Sequence, residues 1–149
     1  MPNSFDALLA DPQVNALIRV ALAGLVAGLI GLERELAGKA AGIRTYGLVG
    51  LGAAMFTVTA IYGFGSFDYA SRIVGGVITG IGFLGAGTII QVKDRVEGLT
   101  TAAGIWAVAA VGMAYGFGLY VLATGVTVIL LIAFAVIGRL LPDKTRAHG

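Results

Sequence analysis

The sequence predicts an all-α bundle of about five membrane-spanning helices. Three observations carry that prediction. Charged residues make up only 12% of the chain against 58% hydrophobic, about half the charge of an ordinary soluble domain, and the mean hydropathy is +0.93. Apolar runs of near-spanning length follow one another along the chain, and Lys and Arg gather at alternate ends of them. A water-soluble fold of 149 residues has too little interior to hide so much apolar surface.

The spans fall at Val14–Leu32, Ile43–Phe64, Ile73–Val92, Leu99–Tyr115 and Leu119–Ile137, since about 20 apolar residues cross the hydrocarbon core as one helix. Asp11-Pro12 reads as a helix start before the first span, with Asp as the cap and Pro in the first turn. Between Leu99 and Leu141 the only charge is Arg139, and that stretch is too long for one crossing. A reversal must therefore fall inside it, and Gly116-Phe117-Gly118 is the turn signal available. Four spans and a re-entrant segment are the alternative.

Orientation follows from the basic residues, which are retained on the cytoplasmic side. With the N-terminus outside, Arg34, Lys39, Arg44, Lys93, Arg95, Arg139, Lys144 and Arg146 fall inside, and only Arg19 and Arg72 fall outside. Met1–Gln13 carries Asp6 and Asp11 and no basic residue, which suits translocation and not the positive start of a signal peptide. The expected organisation is an extracytoplasmic segment at 1–13, a transmembrane domain at 14–141 and a short cytoplasmic tail at 142–149.

The first and third spans echo each other. Gly24 to Gly28 matches Gly76 to Gly80 in spacing, and Gly42-Ile43-Arg44-Thr45 matches Gly98-Leu99-Thr100-Thr101. A duplicated two-helix unit would produce that pattern, and so would chance in a Gly-rich alphabet. Each GxxxG pair sets two small residues on one face for close helix approach. Gly80, Gly82, Gly85 and Gly87 crowd the third span, and each weakens a helix by about 1 kcal/mol relative to Ala. Something must offset that loss. Either the third span sits at the centre of the bundle, the favoured reading, or it unwinds to face a polar cavity.

Glu33, Arg34 and Glu35 end the first span. They form either a solvated helix end with Arg snorkelling to the headgroups or a polar network drawn inward toward Arg44, in which a buried Glu33 needs a cationic partner. Thr45, Thr100 and Thr101 stand at helix starts, where hydroxyls cap free N–H groups. The sharper alternative has two helix N-termini and Arg44 facing an anionic group. Lys93, Asp94, Arg95 and Glu97 form a charged hairpin, Asp68 and Arg72 are spaced for a surface ion pair, and Trp106 sits mid-span as a packing residue.

The missing chemistry narrows function. There is no Cys, hence no thiolate nucleophile or cysteine metal site, and His148 is the one histidine, beside the last residue. No phosphate-binding loop with Lys, HExxH or Ser-His arrangement occurs. The carboxylates Glu33, Glu35, Asp94 and Glu97 are interleaved with basic residues, which argues against a dedicated magnesium cage. No enzyme, no resident metal and no cofactor is expected.

Four motifs in order resemble the MgtC/SapB family of bacterial inner-membrane proteins: Gly31-Leu32-Glu33-Arg34, Ala41-Gly42-Ile43-Arg44-Thr45, Gly80 to Gly87, and Gly98-Leu99-Thr100-Thr101-Ala102-Ala103. The resemblance covers about residues 14 to 138. It implies a multi-pass inner-membrane protein linked to magnesium limitation and, in pathogens, to survival inside macrophages. It also implies action by binding other membrane proteins, the ATP synthase among them. Longer relatives carry a soluble C-terminal domain, and with eight residues after Leu141 this chain is expected to lack it, which leaves a virulence role without support here.

The expected function is thus a non-enzymatic regulator or interaction partner, with the lipid bilayer, other inner-membrane proteins and further copies of itself as partners and no nucleic acid. The alternative is a small transporter or channel for an ion or anionic solute. Convergence of Glu33, Arg34, Arg44 and Thr100 on one enclosed polar cavity would favour transport.

Overall fold

A computed structural model describes residues 10–63, 67–93 and 95–140, with the side chains of 67 and 137–140 left aside. Asp94, Lys144, Arg146 and His148, the side chain of Arg139, residues 1–9 of the 1–13 segment and the whole of the 142–149 segment therefore lie outside the described residues. Five helices run in order: α1 (Pro12–Leu36), α2 (Ile43–Gly63), α3 (Phe67–Ala86), α4 (Leu99–Gly116) and α5 (Tyr120–Leu140), with a hairpin of β1 (Ile90–Val92) and β2 (Arg95–Glu97) between α3 and α4. The molecule is an all-α membrane bundle. Helices α1 to α4 are each long and apolar enough to cross a bilayer, and α5 is apolar over Tyr120–Val136. At 1.5 Å per residue the 21 residues of α5 extend about 31 Å, the thickness of a hydrocarbon core.

The ends of these helices are set by local chemistry. At the start of α1 the Asp11 carboxylate accepts the Gln13 and Val14 N–H groups at 2.8 and 3.2 Å, as the Asp-Pro pair predicts. Two ends share one device. Leu119 N–H donates to the Ala114 carbonyl and Gly118 N–H to that of Tyr115, while Lys39 and Gly38 donate to Arg34 and Glu35. Both turns pass through a left-handed glycine, Gly118 at φ 79° and Gly38 at φ 68°, which closes the helix by the Schellman pattern. The reversal after Gly116 is therefore a tight turn, and α4 and α5 are both unbroken helices.

The third span departs from expectation. It begins at Phe67 and ends at Ala86, about six residues before the predicted Ile73–Val92 segment ends. Backbone turns at Gly87, Thr88 and Ile89, with the Thr88 hydroxyl donating to the Gly85 carbonyl at 2.8 Å, close the helix. The apolar Ile90 and Val92 then pair with Glu97 and Arg95 as antiparallel strands. Hydropathy alone cannot separate a helix tail from an apolar strand.

Packing is uneven. One half of the α4 span is buried and 6% of the α3 span, so within the chain α4, not α3, is the central helix. Ile30, Tyr46, Ile105 and Val108 form one cluster with α1, α2 and α4 around it, and Val20, Ala54, Val111 and Tyr115 form a second toward the opposite end. The tightest approaches use glycines that the spacing argument did not single out. A Cβ on Gly112 would stand 2.9 Å from the Gly50 Cα, and one on Gly116 would stand 2.7 Å from the Thr57 Cβ. A Cβ on Gly31 would meet the Gly42 carbonyl at 2.7 Å.

Outward, Leu25, Leu48, Phe83 and Val121 are among many exposed large apolar side chains. Such a surface would drive aggregation in water and is ordinary in lipid. The two helix-loop-helix units also differ from each other, since an irregular loop joins α1 to α2 and a β-hairpin joins α3 to α4.

Candidate functional site

The most developed polar group lies where α1 ends. Arg34 is 3% exposed, and its Nε and Nη2 donate to the two Glu33 carboxylate oxygens at 2.7 and 3.3 Å. On its other side the guanidinium lies 4.3 Å from the centroid of the Phe134 ring of α5, within cation–π range. Next to them Tyr46 of α2 is fully buried, and its hydroxyl donates to the Thr101 carbonyl at 3.4 Å. Gly104 of α4 makes room for both rings: a Cβ there would collide with the Tyr46 hydroxyl and come within 3.0 Å of Phe134 Cζ.

Four helices thus meet around one guanidinium. A buried ion pair roughly cancels its own desolvation cost, whereas removing one partner strands a charge. The Glu33–Arg34 fork thus ties α1 to α5 through Phe134, and beside it the Tyr46–Thr101 hydrogen bond ties α2 to α4.

Other predicted residues fall elsewhere. Arg44, Thr45 and Thr100 are exposed, so among the described residues the inward network from Glu33 and Arg34 to Arg44, one of the two readings of this cluster, does not form. Thr45 and Thr101 do not cap their helices. The Glu35 carboxylate accepts the Ile43 N–H at 2.9 Å and caps α2, while the N-cap of α4 is Gly98, which has no side chain to offer.

The singled-out glycines divide. Gly24 and Gly85 touch neighbouring helices, with Cβ positions 3.3 Å from Leu51 and 3.4 Å from the Ala102 carbonyl. Gly28 meets Ile43 at ordinary distance and Gly87 meets only the carbonyls of Phe83 and Leu84. Gly76, Gly80 and Gly82 meet nothing within 4 Å.

At the opposite end Arg19 takes a role beyond snorkelling. Its Nε donates to Asn15 Oδ1 at 2.8 Å and its Nη1 to the Gly116 carbonyl at 3.2 Å, which serves an orphan acceptor at the negative end of the α4 dipole. Asp68 and Arg72 form no ion pair with each other. Trp106 is half exposed and lines a crevice between α3 and α4 with Ile78, Ile81 and Met113.

Tyr46, Gly104 and Phe134 were missed by motif reading. One signal was available: Gly104, Gly112 and Gly116 recur at multiples of four along α4, the step that lines up one helix face.

With this architecture in hand, comparison with known sequences is decisive. The MgtC family pattern matches residues 20–141. The chain belongs to the MgtC family. Among curated members, "Putative magnesium transporter YhiD" of Escherichia coli strain K12 is 44% identical over 131 residues, covering 83% of this chain and 61% of that protein. "Protein SrpB" of Synechococcus elongatus is 45% identical over 115 residues, 68% of this chain and 63% of that one. "Protein MgtC" of Salmonella typhimurium is 39% identical over 128 residues, 86% and 53% respectively. The chain thus spans between about half and three-fifths of these MgtC-family relatives, and no solved structure matches it.

Proposed function

We propose that this MgtC-family chain is a non-enzymatic inner-membrane interaction protein, with its N-terminus outside and its C-terminus in the cytoplasm, that docks on other membrane proteins through the exposed face of α3. One observation carries the reading. Among the described residues, the ionisable groups at the Glu33 end do not enclose a path: Arg34 is sealed between Glu33 and Phe134, while Arg44 and Thr100 face outward. Meanwhile α3, with Gly76, Gly80 and Gly82 open, offers the close-approach surface that membrane helices use for association.

Transport is the second reading, favoured by the name of the Escherichia coli relative. Magnesium is carried by oxygen ligands with retained water. Among the described residues no three His, Cys, Asp or Glu side chains group together, and the crevice beside α3 is lined by Ile78, Ile81, Trp106 and Met113. Both features support docking over transport. Purified protein in liposomes separates the two: docking predicts no magnesium flux, together with a membrane partner that co-purifies from native membranes and is lost in Gly80→Leu. Flux abolished by Glu33→Gln without unfolding would reverse the choice.

A further inference from the structure

A groove of about 620 Å³ runs between α1 and α2 on the outer wall of the bundle, within the roughly 300–1,000 Å³ of small-molecule sites. Gly24 and Gly47 form its floor, and Leu25, Leu48 and Leu51 its apolar sides. The dent exists because those floor positions lack side chains: a Cβ on Gly47 would already touch the Gly24 carbonyl at 3.5 Å and the Gly28 Cα at 3.7 Å. From Leu51 to Arg44 the groove follows α2 for about 10 Å at 1.5 Å per residue.

At one end stands Arg44, the single charged residue of the lining. It is the second residue of α2, at the boundary between the apolar span and the polar loop. Arg44 makes no hydrogen bond or ion pair among the described residues. The nearby Glu35 carboxylate accepts the Ile43 N–H through one oxygen and forms no ion pair with Arg44. An apolar channel of this length that opens toward lipid and ends at a guanidinium with no partner among the described residues matches an acyl chain joined to a phosphate. The lining has a cation and no anion, so a headgroup with net negative charge is matched, whereas the ammonium of a zwitterionic headgroup finds no partner.

We infer that the α1–α2 groove is a binding site for an anionic phospholipid, its acyl chain lying over Gly24 and Gly47 and its headgroup phosphate bound by Arg44. This site is separate from the α3 docking face, and it would stand equally in a bundle that moved ions.

The test uses the purified full chain in a neutral detergent, with dioleoylphosphatidylglycerol or dioleoylphosphatidylcholine titrated in and binding read by native mass spectrometry. Wild type should bind the anionic dioleoylphosphatidylglycerol at least about fivefold more tightly than the zwitterionic lipid, the effect of one basic residue at an anionic surface. Arg44→Gln should erase that preference and Arg44→Lys should keep most of it. Gly47→Leu, which fills the floor, should weaken both lipids while circular dichroism stays unchanged. Inorganic phosphate should not compete. Equal binding of the two lipids by wild type, an undiminished preference in Arg44→Gln, or displacement by free phosphate would each overturn the site.

Discussion

Gly112 and Gly116 of α4 and Gly76, Gly80 and Gly82 of α3 have the same chemistry and opposite surroundings. Gly112 and Gly116 let α4 press its backbone against α2, where an added methyl has no room. Gly76, Gly80 and Gly82 face open space. Close approach between helices is the main source of association in lipid, because burial of apolar surface drives little there. Glycine therefore marks a contact already made along α4, and at Gly76, Gly80 and Gly82 of α3 a surface left open within the chain. The lesson is that a small-residue motif tells that a helix can be approached, and only the fold tells by what.

This contrast should be visible first in stability. Gly112→Leu drives a branched side chain into the Gly50 backbone and should lose more than about 3 kcal/mol, the upper range for overpacking, seen as a failure to reach a cooperative thermal transition in detergent. The same substitution at Gly80 should leave the transition in place. Equal damage at both sites would mean that α3 is packed within the chain after all.

The Glu33–Arg34 fork should rank next. Arg34→Met removes the cation from Phe134 and leaves Glu33 without its partner. Glu33 keeps 24% of its side chain in contact with the surroundings, so the loss should be about 2 kcal/mol, below that of a fully buried pair. Glu33→Gln together with Arg34→Met should recover part of it in the same melt, because no charge is then stranded. Arg19→Met, which frees the Gly116 carbonyl and the Asn15 side chain, should lose about 1 kcal/mol. Smallest and opposite in sign, Gly76→Ala should stabilise by up to about 1 kcal/mol, as expected where a helical glycine meets no neighbour.

Much of this fold was legible because lipid imposes long apolar segments. The Asp11 cap, the turn through Gly118 and the charged hairpin around Lys93 all follow from local rules that tertiary structure does not override. The end of α3 was not legible, since Ile90 and Val92 serve a strand as well as a helix. The site was read in part. Glu33 and Arg34 do form a pair, but Arg44 points to a different surface, and Phe134 lies 100 residues from Arg34, a separation that no local pattern bridges. Glu35 caps α2 from only eight residues away, and it was hidden because the path of the loop, not the spacing, brings its carboxylate to the helix start.

Site-specific photo-cross-linking in native membranes bears most directly on the proposal that α3 is a docking face. A photoreactive residue at position 80 should yield discrete protein adducts that disappear when Gly76 is changed to Leu. The same probe at Leu29, exposed on α1, should label lipid alone. Adducts of equal pattern from both positions, or lipid adducts alone from position 80, would contradict the docking face.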